Sequence, residues 1–103
     1  MTGTEYQNTA YKFCPPQLKK SFDFPALGMM EELGEVMQII RKSRRDNTPM
    51  WRDEIQEELG DLLWNIAVFA KMFDINLNDL MKSNITKLTI REKERNGMSK
   101  VQS

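Results

Sequence analysis

The chain has 103 residues, with 15 basic and 15 acidic side chains, no histidine and one cysteine. A chain of this length is expected to form one domain, residues 1–103, and its zero net charge excludes a general electrostatic attraction to nucleic acid or to an anionic membrane. The lack of histidine excludes Ser-His-Asp and Cys-His catalysis, as well as zinc and iron sites built on imidazole.

The compartment is predicted from the cysteine content and the hydropathy pattern. Cys14 has no partner for a disulfide bond, which is typical of a reducing compartment. No apolar run reaches the roughly 18 residues that a membrane span needs, and the first residues do not follow the pattern of a signal peptide. We therefore expect a cytoplasmic protein that does not span a membrane.

The first predicted helix is short. It is expected from Glu5 to Phe13, where Tyr6, Ala10 and Phe13 share a face. The Cys14-Pro15-Pro16 segment should end it, because proline cannot continue a helix.

The second predicted helix begins at Asp23, which we interpret as its N-cap, with Pro25 inside the first turn. It is expected to reach about Arg44. Its apolar stripe is predicted to contain Met30, Leu33, Met37 and Ile40.

The third predicted helix begins with Thr48 as N-cap and Pro49 at the first position, and it should reach Phe73 or Asp74. Its second half, residues 62–70, is apolar on almost every side. A small chain offers too few neighbours to enclose such a helix. We therefore expect a homo-oligomer, either a dimer or a tetramer.

The fourth predicted helix follows Asn76, which forms a capping arrangement with Asp79, and it should end near Asn96-Gly97. No segment has the period of a β-strand. The predicted fold is therefore all-α: an antiparallel helical bundle of about four helices, completed by oligomerisation.

Two nearly identical acidic strings lie in the second and third helices: Glu31-Glu32-Leu33-Gly34-Glu35 and Glu57-Glu58-Leu59-Gly60-Asp61. Carboxylates one helical turn apart destabilise a helix by about 0.2–0.5 kcal/mol per pair, and a glycine inside a helix costs about 1 kcal/mol relative to alanine. We interpret both costs as signs that something approaches each helix closely, and a divalent cation would also neutralise the acids.

The alternative is that each string is an ordinary solvated face. The third helix argues against that alternative, because its acidic stripe continues into Asn65, Val68 and Met72. A face that becomes apolar within two turns is not simply directed at water.

The short turn at residues 45–48 predicts that the second and third helices pack side by side with both strings at the same level. An all-oxygen cage without imidazole or thiolate prefers Mg²⁺, or Mn²⁺ as a substitute. Such a metal would offset phosphate charge and activate a water, and a free glutamate in the cage would accept the proton. Four carboxylates are expected to converge there: Glu32, Glu35, Glu58 and Asp61.

The fourth helix offers a row of possible phosphate donors. Asn84, Lys87 and Arg91 stand at i, i+3 and i+7 and so share a face. Taken alone, such a row is more often surface than ligand.

Together these residues resemble a known family. The pattern Glu31-Glu32-x-x-Glu35, then Glu58-x-x-Asp61, then Asn84-x-x-Lys87-x-x-x-Arg91 is similar to that of the MazG-like nucleoside triphosphate pyrophosphohydrolases. Tyr6-Gln7 and Ala26-Leu27-Gly28 also resemble the short, single-domain members of that family. The resemblance runs from about Tyr6 to Gly97.

The resemblance implies a Mg²⁺-dependent enzyme that cleaves an NTP or dNTP to the monophosphate and pyrophosphate by means of a metal-activated water. The residues carried over as metal ligands are Glu32, Glu35, Glu58 and Asp61. Those carried over as phosphate-binding residues, from the same or a neighbouring subunit, are Asn84, Lys87 and Arg91.

Two roles remain open within that resemblance. Glu31 is implied to be either a further ligand or the catalytic base. Trp51 and Asn65 are candidates for binding the nucleobase, whereas Trp64 is interpreted as part of the core or of an interface.

Two other functions fit the same residues. One is a non-enzymatic oligomeric helical module that binds a nucleotide or a protein partner. The other is a hydrolase of a different phosphorylated substrate. Release of pyrophosphate from a nucleoside triphosphate would distinguish the pyrophosphohydrolase from both of these alternatives.

Overall fold

The computed structural model describes residues 1–102, with side chains described for residues 1–97. Over this range the chain forms four α-helices and a 3₁₀ turn: α1 (Gly3–Lys12), the turn (Pro16–Leu18), α2 (Asp23–Asp46), α3 (Arg52–Met72) and α4 (Leu77–Gln102). The described residues contain no strand, which confirms the all-α prediction. No helix within them is long and apolar enough to cross a lipid bilayer.

Helix α1 begins earlier than expected, because Thr2 and Glu5 form a capping box. The Thr2 hydroxyl accepts a hydrogen bond from the Glu5 backbone at 3.1 Å, and the Thr2 backbone donates to the Glu5 carboxylate at 3.3 Å. Together these bonds satisfy donors that a helix start leaves unpaired. The Thr-x-x-Glu signal was present in the sequence.

The face that α1 buries agrees with the prediction in part, because Ala10 is buried and Tyr6 packs against the core, whereas Phe13 is not buried. Phe13 is 75% exposed, and the buried positions are Gly3, Gln7, Ala10 and Cys14. Because Gln7 is polar and lies in the middle of this face, a hydropathy pattern does not reveal the helical period of the buried positions.

Two predicted N-caps are wrong. Asp23 is the first residue of α2 rather than its cap, and its backbone N–H donates to the Ser21 hydroxyl at 3.2 Å. Thr48 does not start α3. Its backbone N–H donates to the Ser43 carbonyl at 3.1 Å and its carbonyl accepts from the Ser43 hydroxyl, so Thr48 completes the end of α2. Helix α3 begins only at Arg52.

The start of α4 agrees with the prediction, and its end does not. The Asn76 side chain accepts from the Asp79 backbone N–H at 3.0 Å, as a cap should. The helix then continues through Gly97 to Gln102. Gly97 does not adopt the left-handed conformation that would end a helix there, and a helical glycine costs only about 1 kcal/mol.

The helices pack around a small centre. Helix α2 lies mainly against α3, and α1 packs on both α3 and α4. The buried cluster contains Ala10, Ala67 and Leu77, with Tyr6 and Trp64 packed against it. Small side chains at this centre allow three helices to approach closely.

Most of the predicted apolar stripe of α2 does not face the core, and only its fourth member, Ile40, is half-buried. Met30, Leu33 and Met37 are 73%, 49% and 50% exposed, whereas Pro25 and Val36 are buried. The helix has apolar residues on two sides, and hydropathy alone does not indicate which side meets α3. The side that does is the acidic one, because Glu32 stands one turn before Val36 on it.

Candidate metal centre

The acidic strings lie where the buried faces of α2 and α3 come out to solvent. Glu32 precedes buried Val36 by one turn on α2, and Asp61 precedes buried Asn65 by one turn on α3. Glu58 stands three positions before Asp61 and so shares its face. Because the next turn of each helix is packed, these carboxylates are anchored on rigid backbone.

Three of the four predicted metal ligands come together. One carboxylate oxygen from each of Glu32, Glu58 and Asp61 lies within 4.8 Å of the other two. Glu32 and Glu58 are half-buried, and Asp61 is exposed. Since the oxygens come from two helices, the cluster depends on how α2 and α3 pack. We call these three residues the acid cluster.

The acid cluster is electrostatically unfavourable without a cation. The pKa of Glu32 is raised from 4.5 to about 7, first by a hydrogen bond to the Glu58 carboxylate and then by burial. The negative charges of Asp61, Glu58 and Glu31 raise it further. Near neutral pH a proton therefore helps to hold these oxygens together, and a divalent cation would do the same more strongly.

Two cavities adjoin the acid cluster, each of about 410 Å³. We call the first the polar cavity; its wall includes Glu35, Gln38, Lys42, Ser43, Trp51, Glu54, Glu57 and Glu58. We call the second the aromatic cavity, and it is lined by Phe24, Leu27, Gly28, Glu31, Glu32, Asp61, Trp64 and Asn65. Because members of the acid cluster line both, the cluster lies where the two cavities meet.

The remaining predicted acids are divided between the cavities. Glu35, the fourth predicted ligand, lies outside the group of three and lines the polar cavity together with Glu58. Glu31, the predicted base or extra ligand, lines the aromatic cavity beside Glu32 and Asp61. Each therefore shares a cavity with at least one member of the acid cluster.

Asn65 lies where α2 and α3 approach each other closely. Its amide nitrogen donates to the Asp61 carbonyl at 2.9 Å, and its side chain lies against Gly28. A Cβ at Gly28 would be only 2.2 Å from the Asn65 side-chain oxygen. Gly28 is therefore required by packing one turn before Glu32. The sequence offered a signal in the cost of a glycine inside a helix.

The two tryptophans have different surroundings. Trp64 packs against the core, and its indole N–H donates to the Ala10 carbonyl at 3.0 Å, as expected for a core residue. Trp51 is 63% exposed and lines the polar cavity. Phe24, which the sequence did not single out, meets Trp64 edge to face at 6.4 Å between ring centroids.

The predicted phosphate row lies on α4, apart from both cavities. Asn84, Lys87 and Arg91 are all exposed, and neither cavity wall includes them. Lys87 and Arg91 instead line a shallow depression on α4 itself. Within one chain the structure does not bring this row to the acid cluster.

Within the single chain, no other residue approaches the two glycines of the acidic strings closely. A Cβ added to Gly34 or to Gly60 would meet nothing within 4 Å. Both residues lie on outer faces of their helices.

The chain is similar to known proteins over the region that contains the acid cluster. Residues 23–96 match the model of the MazG nucleotide pyrophosphohydrolase domain. This match covers α2, α3 and most of α4, and it leaves α1 outside.

Two relatives were found among curated proteins. The chain is 31% identical over 77 residues to Gene 37 protein of Mycobacterium phage L5. The aligned region covers 71% of this chain and 68% of the phage protein. It is 38% identical over 72 residues to uncharacterized protein YvdC of Bacillus subtilis (strain 168). The aligned region covers 61% of this chain and 68% of that protein. No solved structure matches the chain.

Proposed function

Because the chain belongs to the MazG nucleotide pyrophosphohydrolase family, we propose that it hydrolyses a nucleoside or deoxynucleoside triphosphate to the monophosphate and pyrophosphate, with Mg²⁺ as cofactor. The observation that carries this proposal is the convergence of Glu32, Glu58 and Asp61 within 4.8 Å. All three residues lie inside the matched region.

The donor set fits a hard divalent cation. Its three carboxylates come from two packed helices, and the raised pKa of Glu32 reports the charge that a cation would neutralise. Glu32, Glu58 and Asp61 would hold the metal, with Glu35 as a fourth oxygen ligand at the rim of the polar cavity. When bound, Mg²⁺ supplies charge compensation for phosphate and lowers the pKa of a coordinated water; Mn²⁺ would substitute.

The remaining steps use the chain's own side chains. Glu31 is exposed beside Glu32 and Asp61, where its carboxylate would accept a proton from the attacking water. The water oxygen would then bond to the α-phosphorus, the bond from that phosphorus to the oxygen that bridges to the β-phosphate would break, and pyrophosphate would leave. Trp51 in the polar cavity and Asn65 in the aromatic cavity are the proposed contacts for the base.

In this proposal a second copy of the chain completes the site, and α2 and α3 run antiparallel within each bundle. Asn84, Lys87 and Arg91 lie on the exposed length of α4, where they would reach the acid cluster of a neighbouring subunit and bind its phosphates. The exposed apolar residues on α2 offer a surface for that neighbour: Leu27, Met30, Leu33 and Met37.

The exposed area supports self-association. A compact monomer of 12.1 kDa exposes about 6,000 Å², whereas this chain exposes 8241 Å². The excess of about 2,200 Å² per chain is in the range that obligate homo-oligomers bury. The radius of gyration of 18.0 Å, against about 13 Å for a compact domain of 100 residues, leads to the same conclusion.

The direct test is product analysis. The protein is incubated with a panel of NTPs and dNTPs and Mg²⁺, and we expect monophosphate and pyrophosphate in equal amounts. Diphosphate with orthophosphate would place cleavage at the wrong bond. Nucleotide binding without turnover would favour the non-enzymatic helical module instead.

Removal of a ligand charge tests the acid cluster itself. We expect Asp61→Asn to lower kcat/KM by about 100-fold or more and to abolish the thermal stabilisation by Mn²⁺, because one of three converging carboxylates loses its charge. Glu92→Gln, an exposed acid on α4, is the matched control and should leave both unchanged. Equal turnover in Asp61→Asn and wild type would remove Asp61 from the site.

A further inference from the structure

We propose that α1, which lies outside the matched family domain, fixes the direction of α4, and that Gln7 is the positioning residue at the joint. This inference rests on the proposed function for its consequence, because α4 contains the proposed phosphate row. The joint itself follows from contacts within the chain.

The Gln7 carboxamide joins three parts of the fold. It is only 2% exposed, and its nitrogen donates to the Ala67 carbonyl on α3 at 3.0 Å and to the Ile75 carbonyl at 2.9 Å. Its oxygen accepts from the backbone N–H of Leu77, the first residue of α4, at 2.9 Å. Gln7 therefore connects the end of α3, the α3–α4 loop and the first turn of α4.

The beginning of α1 contacts the same turn of α4. The Asn76 amide donates to the Thr4 hydroxyl at 3.1 Å, and the Gly3 backbone N–H donates to the Asn78 side chain at 3.4 Å. A Cβ at Gly3 would lie 3.0 Å from the Asn78 backbone and 2.9 Å from the Met81 sulfur. A side chain at position 3 would force the Asn78 backbone to shift by a few tenths of an ångström, so glycine favours this close approach of the two backbones.

Between Asp79 and Gly97, the part of α4 whose side chains the structure describes, the helix has no comparable support. From Asp79 to Gly97 every side chain is exposed, so the direction of this helix is set at its first turn. Arg91 lies 14 residues beyond Leu77, about 21 Å along the helix, and a tilt of about 10° at the joint would displace it by about 4 Å. Displacements of about 1 Å can reduce a rate 100-fold when a charged group must meet a substrate.

The test compares Gln7→Met with Gln17→Met. Both replace a glutamine with an apolar side chain of similar size, but Gln17 is exposed and makes none of these bonds. Nitroxide labels on Arg41→Cys in α2 and Lys93→Cys in α4, diluted with unlabelled protein, report the direction of α4; buried Cys14 does not compete for label. We expect a shifted or broadened distance distribution for Gln7→Met and an unchanged one for Gln17→Met.

Activity gives the second measurement. We expect Gln7→Met to lower kcat/KM by about 10-fold to 100-fold. The Mn²⁺ concentration that gives half-maximal thermal stabilisation should stay as in wild type, because the hydrogen bonds of the Gln7 side chain go to the backbone of Ala67, Ile75 and Leu77 and not to the acid cluster. If Gln7→Met does not fold, Gly3→Ala replaces it, since that change should push α4 at Asn78 and Met81 while favouring α1.

A wild-type distance distribution in these variants would overturn the inference, and so would a wild-type kcat/KM in a variant whose α4 has moved. If the wild-type protein releases no pyrophosphate, the proposed function fails. The label distances still decide whether α1 fixes α4, because they need no substrate.

Discussion

In the proposed metal centre, Glu32 is the residue at which a proton would compete with a divalent cation. Its carboxyl is hydrogen-bonded to Glu58, and its pKa is raised to about 7. An acid whose pKa is higher in the folded chain than in the unfolded chain binds its proton more tightly when folded. Its contribution to stability is fully present below pH 4.5 and is lost as the pH rises through 7.

The loss of this stabilising contribution with rising pH gives a prediction for the metal-free protein. Between pH 5 and 8 the unfolding temperature of wild type should fall relative to that of Glu32→Gln, because the variant has no proton to lose at this position. Thermal unfolding in the presence of a chelator measures the difference. Near pH 8 the wild-type carboxylate is free to bind Mn²⁺. Saturating Mn²⁺ should therefore raise the unfolding temperature of wild type above that of Glu32→Gln at this pH. A difference that is the same at every pH would contradict the raised pKa.

Gly28 lies against the Asn65 side chain, where α2 packs on α3 beside the acid cluster. An added methyl group would lie 2.2 Å from the Asn65 side-chain oxygen, one turn away from Glu32. We expect Gly28→Ala to destabilise the fold by about 1–3 kcal/mol and to weaken Mn²⁺ binding, as followed by denaturant unfolding and by thermal shift.

Two further variants control this prediction. Gly28→Ala with Asn65→Ala removes the overlapping atom and should recover part of the loss, so that the two changes are not additive. Gly34→Ala places a methyl group where nothing lies within 4 Å and should stabilise the isolated chain by up to about 1 kcal/mol. Equal effects of the two glycine changes would show that Gly28 has no special role in packing.

At the scale of helices, the sequence predicted the number and order of the elements, and it predicted some boundaries less well. The cap at Asn76 was readable because its partner stands three residues away. Thr48 was misread because its backbone completes α2 through Ser43, a contact five residues back that no local pattern contains. The inner face of α2 was misread because packing against α3, rather than hydropathy, selects it.

The caps provide a matched pair for experiment. Thr2→Ala should cost about 1 kcal/mol, because it removes the hydroxyl that accepts from the Glu5 backbone. Thr48→Ala should be nearly neutral, since only the Thr48 backbone takes part in the hydrogen bonds at the end of α2. Denaturant unfolding of both variants measures the two free energies. A larger cost at Thr48 would restore it as the cap of α3.

At the scale of the whole molecule, the acidic residues were more predictable than their surroundings. The repeated string indicated Glu32, Glu58 and Asp61 because spacing along a helix translates directly into position on one face. The cavities were not predictable, because their walls combine residues distant in sequence, such as Phe24 and Trp64. The distance of Asn84, Lys87 and Arg91 from the acid cluster depends on the angle of α4, which no local pattern encodes.

The exposed apolar face of α2 predicts the effect of a charge placed on it. Met30 is 73% exposed in the single chain, so Met30→Glu should leave the fold of one chain intact. If a second copy covers this face, the variant buries an unpaired charge, and association should weaken by more than about 100-fold. Sedimentation or light scattering measures the mass, with exposed Gln17→Glu as the control. An unchanged mass for Met30→Glu would direct the search for an interface elsewhere.

The joint at Gln7 is made of neutral amides and backbone groups, none of which gains or loses a proton between mildly acidic and mildly alkaline conditions. The acid cluster, by contrast, changes its charge within that interval. A change in pH therefore alters the charge with which the acid cluster would attract a cation, whereas the hydrogen bonds proposed to fix the direction of α4 stay the same.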